Sequence, residues 1–173
     1  MEIDTKDGSE GVTGPSKDEP PTHIGLYSVE RVIVCVNFVK VYLCRDEQLE
    51  RIVAVKTPKM HMHTPEGREY FVNEARRAAS LDHPQIVRIF SLNAEHEPPY
   101  YVMQFVAGQP LDEACRGKDD RQVASLLEGT ARVLAFAHRN GVIHRDIKPG
   151  NILVPHPASF FRYSSGKTRR ASL

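Results

Sequence analysis

Between Leu26 and Thr57, three runs rich in Val, Ile, Leu and Tyr follow one another, over 26–34, 38–45 and 50–57. The links between them are too short for a crossover, so the runs must pair antiparallel, as a meander. Asp46-Glu47-Gln48 supplies the second turn. Over 66–81 the period changes from two to that of a helix. Phe71, Ala75, Ala78 and Leu81 fall on one face, with Arg68, Arg76 and Arg77 elsewhere. Thr64-Pro65-Glu66 is a helix start, with Thr as cap and Pro at the first position. The helix is expected to end before His83-Pro84. Two further strands are expected near 86–92 and 100–106, joined by a charged turn ending in Pro98-Pro99.

A second region begins near Gly108. Residues 110–117 suit a short helix. Residues 120–139 suit a longer one, striped by Val123, Leu126, Leu127, Val133, Leu134 and Ala137. Asp119 or Asp120 caps its start, and Asn140-Gly141 ends it. A loop over 142–150 leads into the apolar run Ile152-Leu153-Val154. The order is three strands, a helix, two strands, then helices, which is an α+β pattern. Residues 1–22 are rich in Gly, Ser, Pro and charge, with almost nothing to bury, and are expected to be disordered.

Charge and composition exclude several classes of function. A formal net charge of +1 over 173 residues argues against nucleic-acid binding or a polybasic membrane surface. The most apolar run, Val32 to Cys44, is too short to span a bilayer and is interrupted by Asn37 and Lys40, so no membrane segment is expected. The three cysteines, Cys35, Cys44 and Cys115, are too few and scattered for a disulfide framework and read as reduced thiols of a cytoplasmic protein.

The most informative stretch is His144-Arg145-Asp146-Ile147-Lys148-Pro149-Gly150-Asn151, between the long helix and the last apolar run. It resembles the catalytic loop of the protein kinase family, H-R-D-x-x-x-x-N, at every fixed position. The resemblance implies Asp146 as the base that accepts or orients the attacking hydroxyl's proton. It implies Lys148 as the cation offsetting charge on the transferred phosphoryl group, in the Ser/Thr-kinase version, and Asn151 as a magnesium ligand. Val53-Ala54-Val55-Lys56 is similar to the family's lysine strand, with Lys56 gripping the α- and β-phosphates of ATP. Glu74 is similar to the helix glutamate that pairs with that lysine. Tyr101 to Val106 resembles the strand and hinge beside adenine: Met103 as gatekeeper, with backbone groups of Gln104 and Val106 on the adenine edge. Val41 and Ala54 form the implied roof. The resemblance runs from about 24 to 154, closest to bacterial multi-domain Ser/Thr kinases. It implies a small lobe over 23–107, with a five-stranded antiparallel sheet and one helix, and an incomplete helical large lobe over 108–154. ATP and Mg2+ are the implied cofactors, and a protein Ser/Thr hydroxyl the acceptor.

Two departures stand against the family pattern. Where the family has G-x-G-x-x-G, this chain has Val34, Val36 and Val39 at the three glycine positions. Glycine lets backbone N–H groups approach phosphate, whereas valine is branched at Cβ and prefers plain strand. Weakened ATP binding is expected. After Val154, Pro155-His156-Pro157 is expected to break the strand. The remainder contains no Asp or Glu for the family's Asp-Phe-Gly metal ligand, so residues 155–173 read as an irregular tail unrelated to the family. The stripe over 120–139 would then lack its packing surface and await a partner. A kinase impaired by these losses is expected, with a pseudokinase-type interaction module or a nonfunctional remnant as alternatives. His61-Met62-His63 lacks a third ligand and reads as a solvated loop. Ser172, after Arg169-Arg170, is a modest phosphoacceptor candidate.

Overall fold

The computed structural model describes residues 20–36, 38–59 and 64–156. The expectations for 1–19, for His61 to His63 and for 157–173, Ser172 included, lie outside these residues. The chain forms strands β1 (His23–Ile24), β2 (Tyr27–Cys35), β3 (Val39–Asp46) and β4 (Arg51–Pro58), then helix α1 (Pro65–Ala79). Strands β5 (Ile89–Asn93) and β6 (Tyr100–Gln104) follow. Next come β7 (Gly108–Pro110), α2 (Leu111–Ala114), α3 (Asp120–Arg139), a 3-10 turn over Pro149–Asn151 and β8 (Leu153–Pro155).

The first six strands make one sheet in the order β1-β2-β3-β4-β6-β5, every adjacent pair antiparallel. Five of these are the expected strands; β1 is an added two-residue edge, too short to leave a hydrophobic period. The fourth expected strand, β5, starts later than the apolar pattern suggests. His83 to Ile86 closes a turn instead, with Ile86 N–H donating to His83 O at 3.0 Å.

Period-two alternation assigns the two faces of the sheet. Val53 and Val55 of β4, Tyr100 and Val102 of β6, and Tyr42 and Cys44 of β3 bury one face, closed by Ile24. The opposite face carries Ala54 and Lys56, and Tyr101 and Met103. Against it α1 sets Phe71 and Ala75, which cluster with Tyr101. The Thr64 hydroxyl caps α1 by accepting from Gly67 N–H at 3.1 Å, and Pro65 opens the first turn. Arg68, one turn in, reaches across to Glu97 at 2.7 Å and to the carbonyls of Ala94 and His96. The helix is thereby tied to the β5–β6 connection.

The second region is built more sparely. Asp119, not Asp120, caps α3: its carboxylate accepts from Gln122 N–H at 2.8 Å while the Gln122 side chain accepts from Asp119 N–H at 3.2 Å. Gly141, with φ of 76°, ends the helix in the left-handed conformation glycine tolerates. Of the twenty residues of α3 only Ala137 is buried, and Leu127 is 51% exposed. The ring of Phe136 stacks on His83 at 4.7 Å, linking α3 to the turn after α1.

Pro155 does not break the last strand. β7 and β8 pair antiparallel with Gly108 opposite Pro155, and His156 N–H still donates to Ala107 O at 3.0 Å. At the other end Leu111 N–H donates to Ile152 O at 2.9 Å. Hydrogen-bonded pairs alternate along such a ladder, so Pro110 and Pro155 occupy the intervening non-bonded pairs, where no N–H is needed. β7, read only as a boundary at Gly108, owes its existence to this pairing. An added Cβ at Gly108 would meet Val154 O at 2.5 Å.

Candidate active site

Six of the expected residues fall on a single face of the sheet. Register places Val34 opposite Val41, Val41 opposite Lys56, and Ala54 opposite Met103. Val39, opposite Pro58, shares the parity of Val41. At the hairpin tip Val36 N–H donates to Val39 O at 3.2 Å, so the β2–β3 ladder runs to the turn. Val34 and Val36 are exposed there, as is Phe38. Valines can keep a regular ladder where glycines would loosen it.

Lys56 projects from β4 toward α1, and its Nζ lies 2.7 Å from Glu74 Oε1. Helical spacing explains the meeting. Glu74 follows Phe71 by three residues and precedes Ala75 by one, so it sits at the rim of the face α1 presses on the sheet. The Lys56 side chain is 16% exposed and Glu74 42% exposed. A third group joins them. Tyr101, directly opposite Lys56 on β6, donates its hydroxyl to the same Glu74 oxygen at 3.3 Å. Lys56 Nζ stands 5.4 Å from the centre of the Tyr101 ring. Burial disfavours the charge on Lys56, yet the Tyr101 oxygen and the Glu74 carboxylate outweigh it and hold the ammonium above its ordinary pKa. Burial also pushes the Tyr101 phenol up, to about 12 despite the neighbouring ammonium, so it remains a donor. Tyr101 was not singled out from the sequence. Alternation from Met103 places it on the Lys56 face, but only the β4–β6 register puts it opposite the lysine.

The residues expected at the hinge lie at the end of β6 and just beyond it. Gln104 pairs with Val53 and its N–H donates to Arg88 O at 2.8 Å. Val106 lies in the link between β6 and β7, half-buried.

The residues from His144 to Asn151, expected to form a catalytic loop, gather in a second cluster, for local reasons. Arg145, with φ of 63°, takes the left-handed conformation and reverses the chain. Asp146 N–H then donates to His144 Nδ1 at 3.3 Å. Lys148 is extended, as a residue before proline must be, and Pro149 starts the 3-10 turn. That turn swings Asn151 back: its Nδ2 donates to Asp146 O at 2.7 Å and to Asp146 Oδ2 at 2.9 Å. Lys148 Nζ reaches the same Oδ2 at 2.8 Å. The hydrogen bonds from Lys148 and Asn151 hold the Asp146 carboxyl below the ordinary aspartate range. The carboxylate is therefore ionised at neutral pH, with the cation and the amide fixed on one of its oxygens.

The two clusters lie on different elements, β4–α1–β6 and the loop after α3. Among the described residues no hydrogen bond or ion pair links them directly. No group of three or more His, Cys, Asp or Glu side chains converges among the described residues. The chemistry of the loop nevertheless suits magnesium in part: the Asn151 nitrogen is committed to Asp146, leaving the amide oxygen as the hard ligand such a cation prefers.

Comparison with known proteins identifies the family. A family model described as protein kinase domain matches residues 27–161. The chain is 38% identical over 136 residues to the serine/threonine-protein kinase PrkC of Bacillus subtilis, a match covering 76% of this chain and 21% of that protein. It is 37% identical over 139 residues to the serine/threonine-protein kinase PknA of Mycobacterium tuberculosis, covering 75% of this chain and 32% of that one. The chain thus spans between about a fifth and a third of the length of these relatives. Among solved structures, one described as the apo form of PpkA-294 superposes with a TM-score of 0.69 at 23% identity, over 81% of this chain and 58% of that one. The kinase domain of Mycobacterium tuberculosis PknI superposes with a TM-score of 0.63 at 24% identity, over 77% and 56%. These last two establish the fold alone. The curled sheet with α1, the Lys56–Glu74 pair and the matched family model agree, and the chain belongs to the protein kinase domain family.

Proposed function

We propose that this chain supplies the nucleotide-anchoring and catalytic-loop part of an ATP-dependent protein Ser/Thr kinase. The observation that carries the reading is the Asp146–Lys148–Asn151 cluster, in which an ionised carboxylate, a cation and an amide share one oxygen. Phosphoryl transfer asks little covalent chemistry of a protein and much positioning of charge. In this reading Asp146 orients the acceptor hydroxyl and takes its proton. Lys148 offsets charge on the transferred group. Lys56, steadied by Glu74, grips the nucleotide's α- and β-phosphates. Ala54 and Val41 cover adenine, and Met103, Gln104 and Val106 bound it. Magnesium, held in part by Asn151, would neutralise phosphate charge. The acceptor is a protein Ser or Thr. A cytoplasmic location follows from the nucleotide requirement, and the free thiols of Cys35, Cys44 and Cys115 are compatible with it. No described helix is long and apolar enough to cross a membrane.

The residues suit ATP better at its anchored end than at the hairpin. Val34 and Val39 put branched side chains on the Lys56 face of the ladder, and Val36 adds another at the hairpin tip, where close backbone approach needs glycine. Binding is accordingly weak in this reading. The same observation favours a second reading, a pseudokinase-type module that keeps the scaffold and binds partners without transfer. The thinly covered stripe of α3 is a surface such a partner could use.

The test is titration with Mg-ATP, followed by transfer of labelled γ-phosphate to a generic protein acceptor. Lys56→Met should weaken nucleotide binding about tenfold or more. Any transfer should vanish in Asp146→Ala with binding retained. Binding indifferent to Lys56 would sink the nucleotide-anchor reading. Binding without transfer, unaffected by Asp146→Ala, would favour the scaffold.

A further inference from the structure

Glu74 is a poor anchor on its own. Nearly half of its side chain is exposed, and an ion pair open to water on one side contributes little and competes with hydration. Yet α1 must hold Glu74 in one rotamer for Lys56 to be presented in a fixed place. Something buried has to select that rotamer. Tyr101 is the group in position to do so. Its ring is almost wholly buried and packs on Phe71 of α1, with centroids 5.1 Å apart. Its hydroxyl meets the same Glu74 oxygen that takes Lys56. Cross-strand register with Lys56 fixes the ring relative to the lysine through the backbone ladder.

We infer that Tyr101 is a positioning residue: its buried hydroxyl, donating to Glu74 Oε1, holds α1 and the Glu74 carboxylate where Lys56 is presented to the nucleotide. The inference rests on the reading of Lys56 as the phosphate anchor, and it adds a third member to that pair. A carboxylate oxygen with two donors on it has its rotamer set twice, once from β4 and once from β6. Losing the ammonium therefore need not release the helix, and losing the phenol loosens both the glutamate and the lysine it orients. Burial pushes the phenol up to about 12, so it remains a hydrogen-bond donor at neutral pH.

Tyr101→Phe isolates the hydroxyl, because it keeps the ring on Phe71. Three readouts separate the possibilities. Hydrogen exchange should accelerate about threefold to tenfold at amides of the second half of α1 in Tyr101→Phe, more than at the sheet amides, which should follow only the small global loss expected for one hydrogen bond of the packed unit. In 13Cε-lysine spectra, the Lys56 resonance should titrate at lower pH in Tyr101→Phe than in the unmodified chain. Mg-ATP affinity should fall by a similar threefold to tenfold. The loss should be non-additive with Glu74→Ala, since both changes remove the same contact. Unchanged α1 exchange and an unchanged Lys56 titration in Tyr101→Phe would overturn the inference. An equal rise in exchange at α1 and across the sheet would also overturn it, by showing the phenol to be a packing group only. If Lys56→Met leaves nucleotide affinity intact while Tyr101→Phe still loosens α1, the phosphate-anchor reading fails and the tether to Glu74 stands.

Discussion

Two ion pairs of nearly equal length hold the two halves of this site, and they do different work. Lys56–Glu74 spans 2.7 Å between a mostly buried lysine and a glutamate packed beside the α1 core. Lys148–Asp146 spans 2.8 Å between side chains that are each more than half exposed. Distance alone would rank them equal. Their surroundings do not. The first sits between a sheet and a helix that bury one another, with Phe71, Val53, Val55 and Val102 almost fully enclosed. The second sits on a loop after a helix that buries one residue in twenty. Ion pairs in water are weak and screened, so the loop is organised by its backbone and its short-range bonds. The sheet region is organised by packing.

Unfolding should break this comparison most sharply. Phe71→Ala removes a buried ring from the α1–sheet junction and should cost about 3–5 kcal/mol in denaturant unfolding. Leu127→Ala, on the open face of α3, should change stability by no more than about 0.5 kcal/mol. A comparable loss at Leu127 would mean that α3 is covered in solution, and the contrast between the regions would fall.

The same contrast explains what could be read from the sequence. Strands β2, β3 and β4 and helices α1 and α3 were legible to within a residue or two. Each carries a strong period and a cap or turn of known chemistry: Thr64-Pro65, Asp119 with Gln122, Gly141. β1 and β7 were not legible, because two or three residues carry no period and their structure comes from a partner strand. Pro155 misled for a related reason: proline forbids a hydrogen bond only where the ladder asks for one, and that is a matter of register. In the site, Lys56, Glu74 and the residues from His144 to Asn151 could be marked through resemblance to a family motif. Tyr101 could not, since its meeting with Glu74 depends on which β6 residue stands opposite Lys56.

The next largest effect concerns the hairpin. Replacing Val34, Val36 and Val39 together by Gly should raise Mg-ATP affinity by roughly tenfold or more, the gain from about one recovered charge-assisted hydrogen bond. The same change should lower stability, because glycine in a strand costs about 0.5–1 kcal/mol per position relative to alanine. Calorimetric titration and thermal unfolding on one sample give both signs. Tight binding by the unmodified chain, or none gained by the triple variant, would show that the valines do not obstruct the phosphates.

The helix caps sharpen the comparison further. Thr64→Ala and Asp119→Ala each remove one cap bond, at an intrinsic cost of about 1 kcal/mol. For Thr64 that loss should appear in the global unfolding free energy, because α1 is part of the packed unit. For Asp119 it should appear as faster amide exchange over the first turns of α3, with the global value unchanged. Equal global losses would place α3 in the same cooperative unit as the sheet.

The smallest effect is the titration of Asp146, and its sign follows from the bonds on Oδ2. The Lys148 and Asn151 hydrogen bonds favour the ionised form and lower the folded-state pKa. A depressed carboxyl pKa stabilises the loop at pH values above that of an ordinary aspartate, and this contribution is lost as pH falls through the lowered value. The 13C carboxyl resonance of Asp146 should therefore titrate at lower pH than a free aspartate. Lys148→Met should move the midpoint up, and so should added salt, since both partners are exposed. The global unfolding midpoint should not follow, because the loop adds little to the packed core. An Asp146 midpoint insensitive to both Lys148→Met and salt would mean that the short N–O distance is not maintained in water. The carboxylate would then be oriented by Asn151 and the 3-10 turn alone, which makes the backbone turn, not the ion pair, the element that sets its direction.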